Sequence, residues 1–230
     1  MAGGKKDKLQ VNIKTDGNRT QMTYRKIKEM MLNYNIVPGQ RLIFVDFAKQ
    51  LGVSRTPINN ALSILANEGF LDFTPNQGYR VHEITQEEAS YLYEVREIIE
   101  LGAIGPAIRK ASPKKLKDLE RQRRLYEKSV REQVTRGRFT LDQEFHACYI
   151  RMAENPYLTD YFREIYQRIF LRHRIEGLPL GRAREVVLEH KEIFKAISMK
   201  DVKNTRKLIK HHIKAGKGYI FSAIFSQKSS

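Results

Sequence analysis

The sequence predicts a mainly α-helical protein of two domains, with β structure confined to one short hairpin. Apolar residues recur at helical spacing through most of the 230-residue chain. Between residues 70 and 81 this spacing gives way to two short strand-like runs separated by Pro75-Asn76-Gln77-Gly78. A chain of this length can bury two separate cores. We therefore divide it into a flexible basic tail (residues 1–20), a first domain containing the hairpin (21–84) and an all-helical second domain (85–230).

The composition restricts the kind of partner and the compartment. A net charge of +16, from 42 Lys+Arg and 26 Asp+Glu, favours a polyanionic partner or an anionic membrane surface. No apolar run approaches the roughly 20 residues that span a bilayer. The N-terminal sequence lacks the apolar stretch of a signal peptide, so we expect a cytoplasmic protein. The single cysteine, Cys148, excludes an internal disulfide and a multi-cysteine metal site, and it is best interpreted as a small buried residue.

The first domain opens with a predicted helix over residues 22–34, where apolar side chains share one helical face. Pro38-Gly39 then imposes a turn, and residues 41–43 form a brief extended link. A second, short helix follows over residues 45–51 and ends at Gly52, which is free to adopt positive φ.

A third helix is predicted to begin after Ser54 and to run to about Asn67. Ser54 is a good N-cap residue, and Pro57 falls in the first turn, where its missing N–H has no cost. Apolar residues at helical spacing would face a core: Ile58, Ala61, Leu62 and Leu65. The other faces carry Arg55, Thr56, Asn59, Asn60 and Ser63.

This third helix has the composition of a DNA-recognition helix. Arg and Asn read base edges in the major groove, while backbone amides hold phosphate. On these residues alone, an ordinary capped surface helix is the favoured interpretation. The hairpin that follows favours the DNA-recognition helix over the surface helix, because a hairpin directly after a helix-turn-helix is typical of a wing. Arg80 or the hairpin loop could then approach the minor groove or the phosphates.

Residues 22–84 as a whole resemble the winged helix of GntR-type bacterial transcription regulators. The resemblance rests on Pro38-Gly39, Val53-Ser54-Arg55-Thr56-Pro57 and the wing segment Asn76-Gln77-Gly78-Tyr79-Arg80, in that order. It implies that a homodimer binds double-stranded operator DNA, with Arg55, Thr56 and the wing at Gly78 in contact with DNA. The polar residues around them complete the candidate DNA-binding set: Arg41, Asn59, Asn60, Gln77 and Arg80.

One position departs from the family pattern. Asn59-Asn60 stands where the family usually carries Arg-Glu. Arg often contacts guanine and Asn often pairs with adenine. We therefore expect an altered, more A/T-rich operator.

The second domain is predicted to be a bundle of about six helices. Thr85-Gln86-Glu87-Glu88 has the form of a capping box, and Ser112-Pro113 starts the next helix. Four more helices are expected over residues 139–152, 158–175, 182–199 and 202–225.

Inside this bundle, one carboxylate and three histidines form a candidate metal site. Asp142 and His146 are spaced i,i+4 and so share a helical face. His190 lies on a later helix, and His212 follows it by 22 residues. Converging on one point, these side chains would bind a divalent ion with coordination positions left open. Each histidine taken singly is more often an ordinary core or surface residue.

The same residues resemble the FadR-type effector (FCD) domain of one large GntR subfamily. Asp142-Gln143-Glu144-Phe145-His146, Glu189-His190 and His212 stand where that family has its metal ligands. The resemblance implies that Asp142, His146, His190 and His212 bind Zn, Ni or Mn. Because imidazole must be neutral to bind a metal, we expect the metal affinity to fall as pH drops through about 6.5. His211 is the competing ligand, although its spacing fits less well.

The FCD resemblance also implies a small carboxylate effector. Arg96 is the candidate to pair with it, since an Arg fork gives bidentate recognition of a carboxylate. A salt bridge to Glu100, one turn on, is an equally good account of Arg96. Arg172 and Arg174 are weaker candidates.

These features together predict a transcription regulator rather than an enzyme. Its effector-binding helical bundle would hold a metal and a small organic acid that modulates operator affinity. A metal-dependent hydrolase or lyase using the Asp/His site is the alternative, but it leaves the winged helix unexplained. A nucleoid-type DNA binder fits the charge but not the Asp/His spacing.

Overall fold

A computed structural model describes residues 6–133, 137–171 and 180–225. The chain divides into two compact units, Met1–Glu83 and Ile84–Ser230. The mainly α-helical fold is confirmed, with one small sheet in the first unit. No helix in the described segments is both long enough and apolar enough to cross a membrane.

The first unit is a winged helix-turn-helix. Its helices are α1 (Lys6–Leu32), α2 (Phe44–Leu51) and α3 (Arg55–Asn67). Its strands are β1 (Arg41–Leu42), β2 (Leu71–Thr74) and β3 (Gly78–Val81), in the order β1-β3-β2. The predicted link at residues 41–43 is thus partly a third strand, because Leu42 pairs with Tyr79 on the free edge of the hairpin.

The N-terminal segment differs from the expected flexible tail over residues 1–20. Helix α1 begins at Lys6, sixteen residues before the predicted start at Met22, and it ends at Leu32. No proline interrupts residues 6–32, and Gly17 is the single glycine there. A helix anchored through its buried C-terminal half can therefore propagate backwards through this polar segment.

The turn between α2 and α3 forms as the sequence predicts, with one exception. Gly52 caps α2 at φ +63° and donates its N–H to the Ala48 carbonyl at 3.0 Å. Ser54 occupies the N-cap position of α3, but its hydroxyl makes no capping hydrogen bond. The predicted apolar face of α3 is buried without exception, and α1 packs against α3.

The wing is a tight hairpin between β2 and β3. Phe73 pairs with Tyr79 across the strands, and Gln77 donates its N–H to the Thr74 carbonyl at 3.0 Å. Gly78 adopts φ +82°, a conformation that glycine reaches without strain. Gly78 therefore allows the tight turn that joins the two strands.

The second unit is all-helical in its described residues. Its helices are α4 (Gln86–Arg109), α5 (Pro113–Arg131), α6 (Arg138–Arg151), α7 (Pro156–Leu171), α8 (Leu180–Ser198) and α9 (Val202–Ile224). Thr85 caps α4 by accepting from the Glu88 N–H at 3.1 Å, as predicted. Ser112 accepts from the Lys115 N–H at 3.4 Å at the start of α5. The predicted end of the fourth helix of this unit, near residue 175, lies outside the described residues.

Helix α6 is the centre of this unit. Six consecutive residues, 145–150, are buried, so the helix is enclosed on every side. It packs against α4, α5 and α7. Its polar residues Asp142 and His146 therefore face other helices rather than water.

Candidate functional site

The candidate DNA-binding residues of the first unit lie on its surface. All are solvent-exposed except Gly78, which is half-buried. Four of them line one groove of about 620 Å³ between α2, α3 and the wing: Arg41, Arg55, Gln77 and Gly78. The others, Thr56, Asn59, Asn60 and Arg80, are exposed but do not line this groove.

Arg55 is held by an aromatic contact that the sequence analysis missed. Its guanidinium carbon lies 5.6 Å from the centre of the Phe44 ring. Phe44 in turn packs edge-on against Tyr79, with 6.1 Å between ring centres. A cation stacked on an aromatic face loses less conformational freedom when it binds. The signal was a half-buried aromatic residue at the start of α2, whose partner only the tertiary structure reveals.

In the second unit, the four predicted metal ligands meet in one place. Asp142 and His146 come from α6, His190 from α8 and His212 from α9, and their ligand atoms lie within 4.8 Å of one another. The Nε2 atoms of His146 and His212 are 3.1 Å apart. His190 Nε2 is 3.2 Å from Asp142 Oδ1. His211, the competing ligand, is exposed and outside this cluster.

The ring nitrogens of His146 and His212 have the arrangement of two ligands to one cation. Their Nδ1 atoms lie 2.8 Å from Glu100 Oε2 and 2.5 Å from Glu189 Oε2. A carboxylate at Nδ1 keeps the ring proton there, so each Nε2 carries a lone pair. In the neutral rings that bind metal these two lone pairs face each other, and Arg96 Nη2 lies 3.4 Å from His146 Nε2. Two nitrogens bound to one zinc ion at about 2.0–2.1 Å stand roughly 2.9–3.4 Å apart, which matches the observed spacing.

His190 gives a second reason to expect a cation. It is fully buried, and neither ring nitrogen has a hydrogen-bond partner among the described residues. Its Nε2 lies close to Asp142 Oδ1, but without hydrogen-bond geometry. A buried polar nitrogen without a partner is costly. A cation between Nε2 and the carboxylate would satisfy both groups.

Burial sets the protonation of these ligands. It lowers the pKa of His190 to about 3 and also lowers the pKa of His212. Burial would raise the pKa of Asp142, but the nearby histidines, His190 first, hold it well below its usual range. Neutral imidazoles and an ionised carboxylate are the forms that bind metal, so for His190 and His212 the loss of metal affinity expected near pH 6.5 moves to lower pH.

Two arginine–glutamate pairs support the histidines from behind. Arg96 Nε donates to Glu100 Oε1 at 2.6 Å, and both side chains are buried. Arg182 donates to both oxygens of Glu189, at 2.6 and 2.9 Å. Each glutamate that orients a histidine is thus fixed by its own arginine. The sequence analysis missed Arg182 and the orienting role of Glu189, because the contact to His212 joins two helices.

Two tyrosines complete the polar network. Tyr166 donates its hydroxyl hydrogen to Asp142 Oδ2 at 2.6 Å. Tyr149 hydrogen-bonds Glu100, and its oxygen lies 2.7 Å from His146 Nδ1. These contacts limit the rotation of Asp142 and Glu100 around the site.

A small cavity borders the ligands. Its volume is about 30 Å³, and its lining includes Asp142, His212, Arg96 and Arg182. That volume holds roughly one or two water molecules. Arg96 thus lines the cavity. It also makes the ion pair with Glu100 that the sequence analysis gave as the alternative interpretation of this residue. Arg172 and Arg174, the weaker effector candidates, lie outside the described residues.

We predict that the metal-free protein loses stability as the pH falls from about 6.5. The unfolded histidines protonate near 6.5, whereas His190 and His212 resist protonation in the folded state. The unfolded state then binds more protons, so the free energy of unfolding falls by up to about 1.4 kcal/mol per pH unit for each histidine. Urea unfolding between pH 5 and 7 in the presence of a chelator measures the slope. His190→Gln should reduce this slope, because it removes a buried imidazole that resists protonation in the folded state.

We predict that Glu189→Gln weakens metal binding. An outer-shell partner of a histidine ligand typically contributes 10- to 100-fold in affinity, so a loss of roughly that size is expected in a chelator-competition titration. Glu185→Gln is the matched control, because Glu185 also pairs with Arg182 but does not contact His212. Equal affinities for the two variants would show that Glu189 does not orient the ligand.

A winged helix-turn-helix joined to a unit that is helical in its described residues is the arrangement of a two-domain DNA-binding transcription regulator. Comparison with known families gives the particular one. Residues 19–81 match the gntR family of bacterial regulatory proteins, and residues 91–215 match the FCD domain. The chain belongs to the GntR family and carries an FCD domain.

Individual relatives agree with this assignment. An uncharacterized HTH-type transcriptional regulator of Bacillus subtilis, YdhC, is 26% identical over 193 residues, which is 84% of each chain. The Nta operon transcriptional regulator of Aminobacter aminovorans is 33% identical over 141 residues, or 61% of this chain and 66% of the relative. The structure of E. coli McbR/YncC superposes with a TM-score of 0.78 at 20% identity, covering 89% of this chain and 98% of that one. The structural match establishes a shared fold.

Proposed function

We propose that this GntR-family regulator binds operator DNA as a homodimer and changes its operator affinity when a small organic acid binds at a metal centre in the helical unit. The observation that carries the proposal is the buried cluster of Asp142, His146, His190 and His212, with ligand atoms within 4.8 Å of one another. It lies in the same chain as a winged helix with an exposed, arginine-bearing recognition surface.

The donor set suits a divalent transition metal. One carboxylate oxygen and three imidazole nitrogens are typical ligands of Zn, Ni or Mn. The bound ion would offer its open coordination positions to a carboxylate. Glu100 and Glu189 orient His146 and His212 toward the ion, while Tyr166 orients Asp142.

The two arginines beside the cavity give the site its charge preference. Arg96 and Arg182 are both buried, and each is already paired with a glutamate. An incoming carboxylate would share these guanidinium groups, which can bind more than one acceptor.

Effector binding would require the site to expand. A cavity of about 30 Å³ is smaller than any organic acid of several heavy atoms. Side chains that line it, among them Tyr93, Phe170 and Tyr219, would have to move. A ligand that binds an expanded state shifts the population toward that state, and this differential affinity is the physical basis of coupling to DNA.

The proposal is tested on the purified full-length protein. Elemental analysis should find about one divalent metal per chain, and mass spectrometry of the denatured protein should find a released small carboxylate. Selection from a pool of randomised duplexes should return a two-fold symmetric consensus. Absence of a consensus would contradict operator binding, and metal-dependent turnover of an ester or acid would favour the hydrolase or lyase alternative.

A further inference from the structure

The groove between α2, α3 and the wing contains an apolar surface that its polar residues do not explain. Ile43 is 53% exposed and Val45 is 73% exposed, although both belong to the helix-turn-helix segment. They line the same groove as Arg41 and Arg55. The core-facing residue of α2 is Phe47, which is buried, so Ile43 and Val45 are not required for packing.

The charge of this groove and the residues that line it indicate what kind of partner it binds. Its lining holds two arginines and, among the described residues, no carboxylate. Arg55, Gln77 and Gly78 are candidate DNA-binding residues on the same wall. The groove therefore faces the duplex that the proposed function assigns to this unit, and it is suited to a polyanion rather than to an apolar protein partner.

The chemistry of the DNA major groove indicates which group the apolar side chains would contact. The C5-methyl group of thymine is the apolar feature that base pairs present there, and apolar side chains contact it. Val45 lies in the first turn of α2, where a β-branched side chain has one strongly preferred rotamer. Its methyl groups are thus already ordered before DNA binds.

We propose that Val45, with Ile43 beside it, reads thymine methyl groups in the operator and so determines part of its sequence specificity. This inference rests on the proposed function. It goes beyond the expectation for Asn59 and Asn60, because it assigns the thymine side of A·T pairs to a different helix. Removing one contacted methyl group should weaken binding about fourfold, the ratio that corresponds to burial of one CH₂-sized group.

The test uses duplexes selected by the wild-type full-length protein from a randomised pool. Each thymine of the consensus is replaced in turn by deoxyuridine, which lacks only the 5-methyl group, and affinity is measured by fluorescence anisotropy at one fixed salt concentration. At one or more positions wild-type protein should lose about fourfold, and at one or more of those positions Val45→Ala should bind the thymine and uracil duplexes equally. Leu188→Ala, an exposed apolar residue of the other unit, is the control and should keep the wild-type difference.

The outcomes separate this inference from the function on which it rests. A selected consensus with equal wild-type affinity for every thymine and uracil duplex would overturn the inference and leave operator binding intact. The same conclusion follows if Val45→Ala keeps the wild-type discrimination at every position, or if it weakens all duplexes alike through a contact with the sugar–phosphate backbone. A selection that returns no consensus would overturn both the operator-binding function and the inference.

Discussion

Arg55→Ala is expected to weaken binding to the selected operator by roughly 5- to 150-fold, the range for loss of one bidentate base contact. Arg55 is exposed at the first position of α3, and its stack on Phe44 aims the guanidinium into the groove. The substitution should relax specificity at one base pair rather than weaken all sequences equally. Anisotropy titrations with the consensus duplex and with single-base variants measure both effects.

Arg25→Ala is the control for the loss of positive charge. Arg25 is exposed on α1 in the same unit, so its removal takes away one cation without removing the candidate base contact. It should produce a smaller change that is similar for all sequences. If both variants lose the same affinity without altering base preference, Arg55 is a general phosphate contact and not a reading residue.

His212→Ala is expected to remove stoichiometric metal binding, whereas His211→Ala is expected to keep it. The two residues are neighbours on α9, but His212 is buried with its Nε2 3.1 Å from that of His146, and His211 is exposed. Loss of a direct ligand should exceed the 10- to 100-fold effect typical of outer-shell groups. Elemental analysis and competition with a chromophoric chelator provide the measurement.

Thermal unfolding gives an independent measure of metal binding by the two variants, His212→Ala and His211→Ala. A ligand at 100 times its Kd stabilises the folded state by about 2.7 kcal/mol. Zinc should therefore raise the Tm of wild-type protein and His211→Ala but not that of His212→Ala. A zinc-dependent Tm in His212→Ala equal to that of the wild type would remove His212 from the metal site.

Local sequence signals account for much of the helix-turn-helix. Gly52 and Pro57 identify the turn and the start of α3, and both act through the backbone of their own segment. The extent of α1 and the pairing of β1 were not predictable in this way. Strand β1 forms because Leu42 pairs with Tyr79, which lies 37 positions later in the chain. A local sequence pattern does not predict such a distant pairing.

The candidate metal ligands could be found from the sequence. The residues that surround and orient them could not. Asp142 and His146 share a turn of α6, so their i,i+4 spacing is a local signal, while His190 and His212 depended on resemblance to a family. The contact between Glu189 and His212, and the approach of Arg96 and Arg182 to one cavity, depend on how α4, α8 and α9 pack. Tertiary packing determines these contacts, and the periodicity of the sequence does not predict them.

The most direct test of coupling between the two units is the operator affinity of zinc-loaded full-length protein with and without a panel of small mono-, di- and tricarboxylates. At fixed salt, at least one carboxylate should change the Kd for the selected duplex by about fivefold or more, the usual lower bound of allosteric coupling. His212→Ala should abolish that change. An unchanged Kd for every carboxylate, with and without zinc, and identical behaviour of His212→Ala would contradict the proposed regulation.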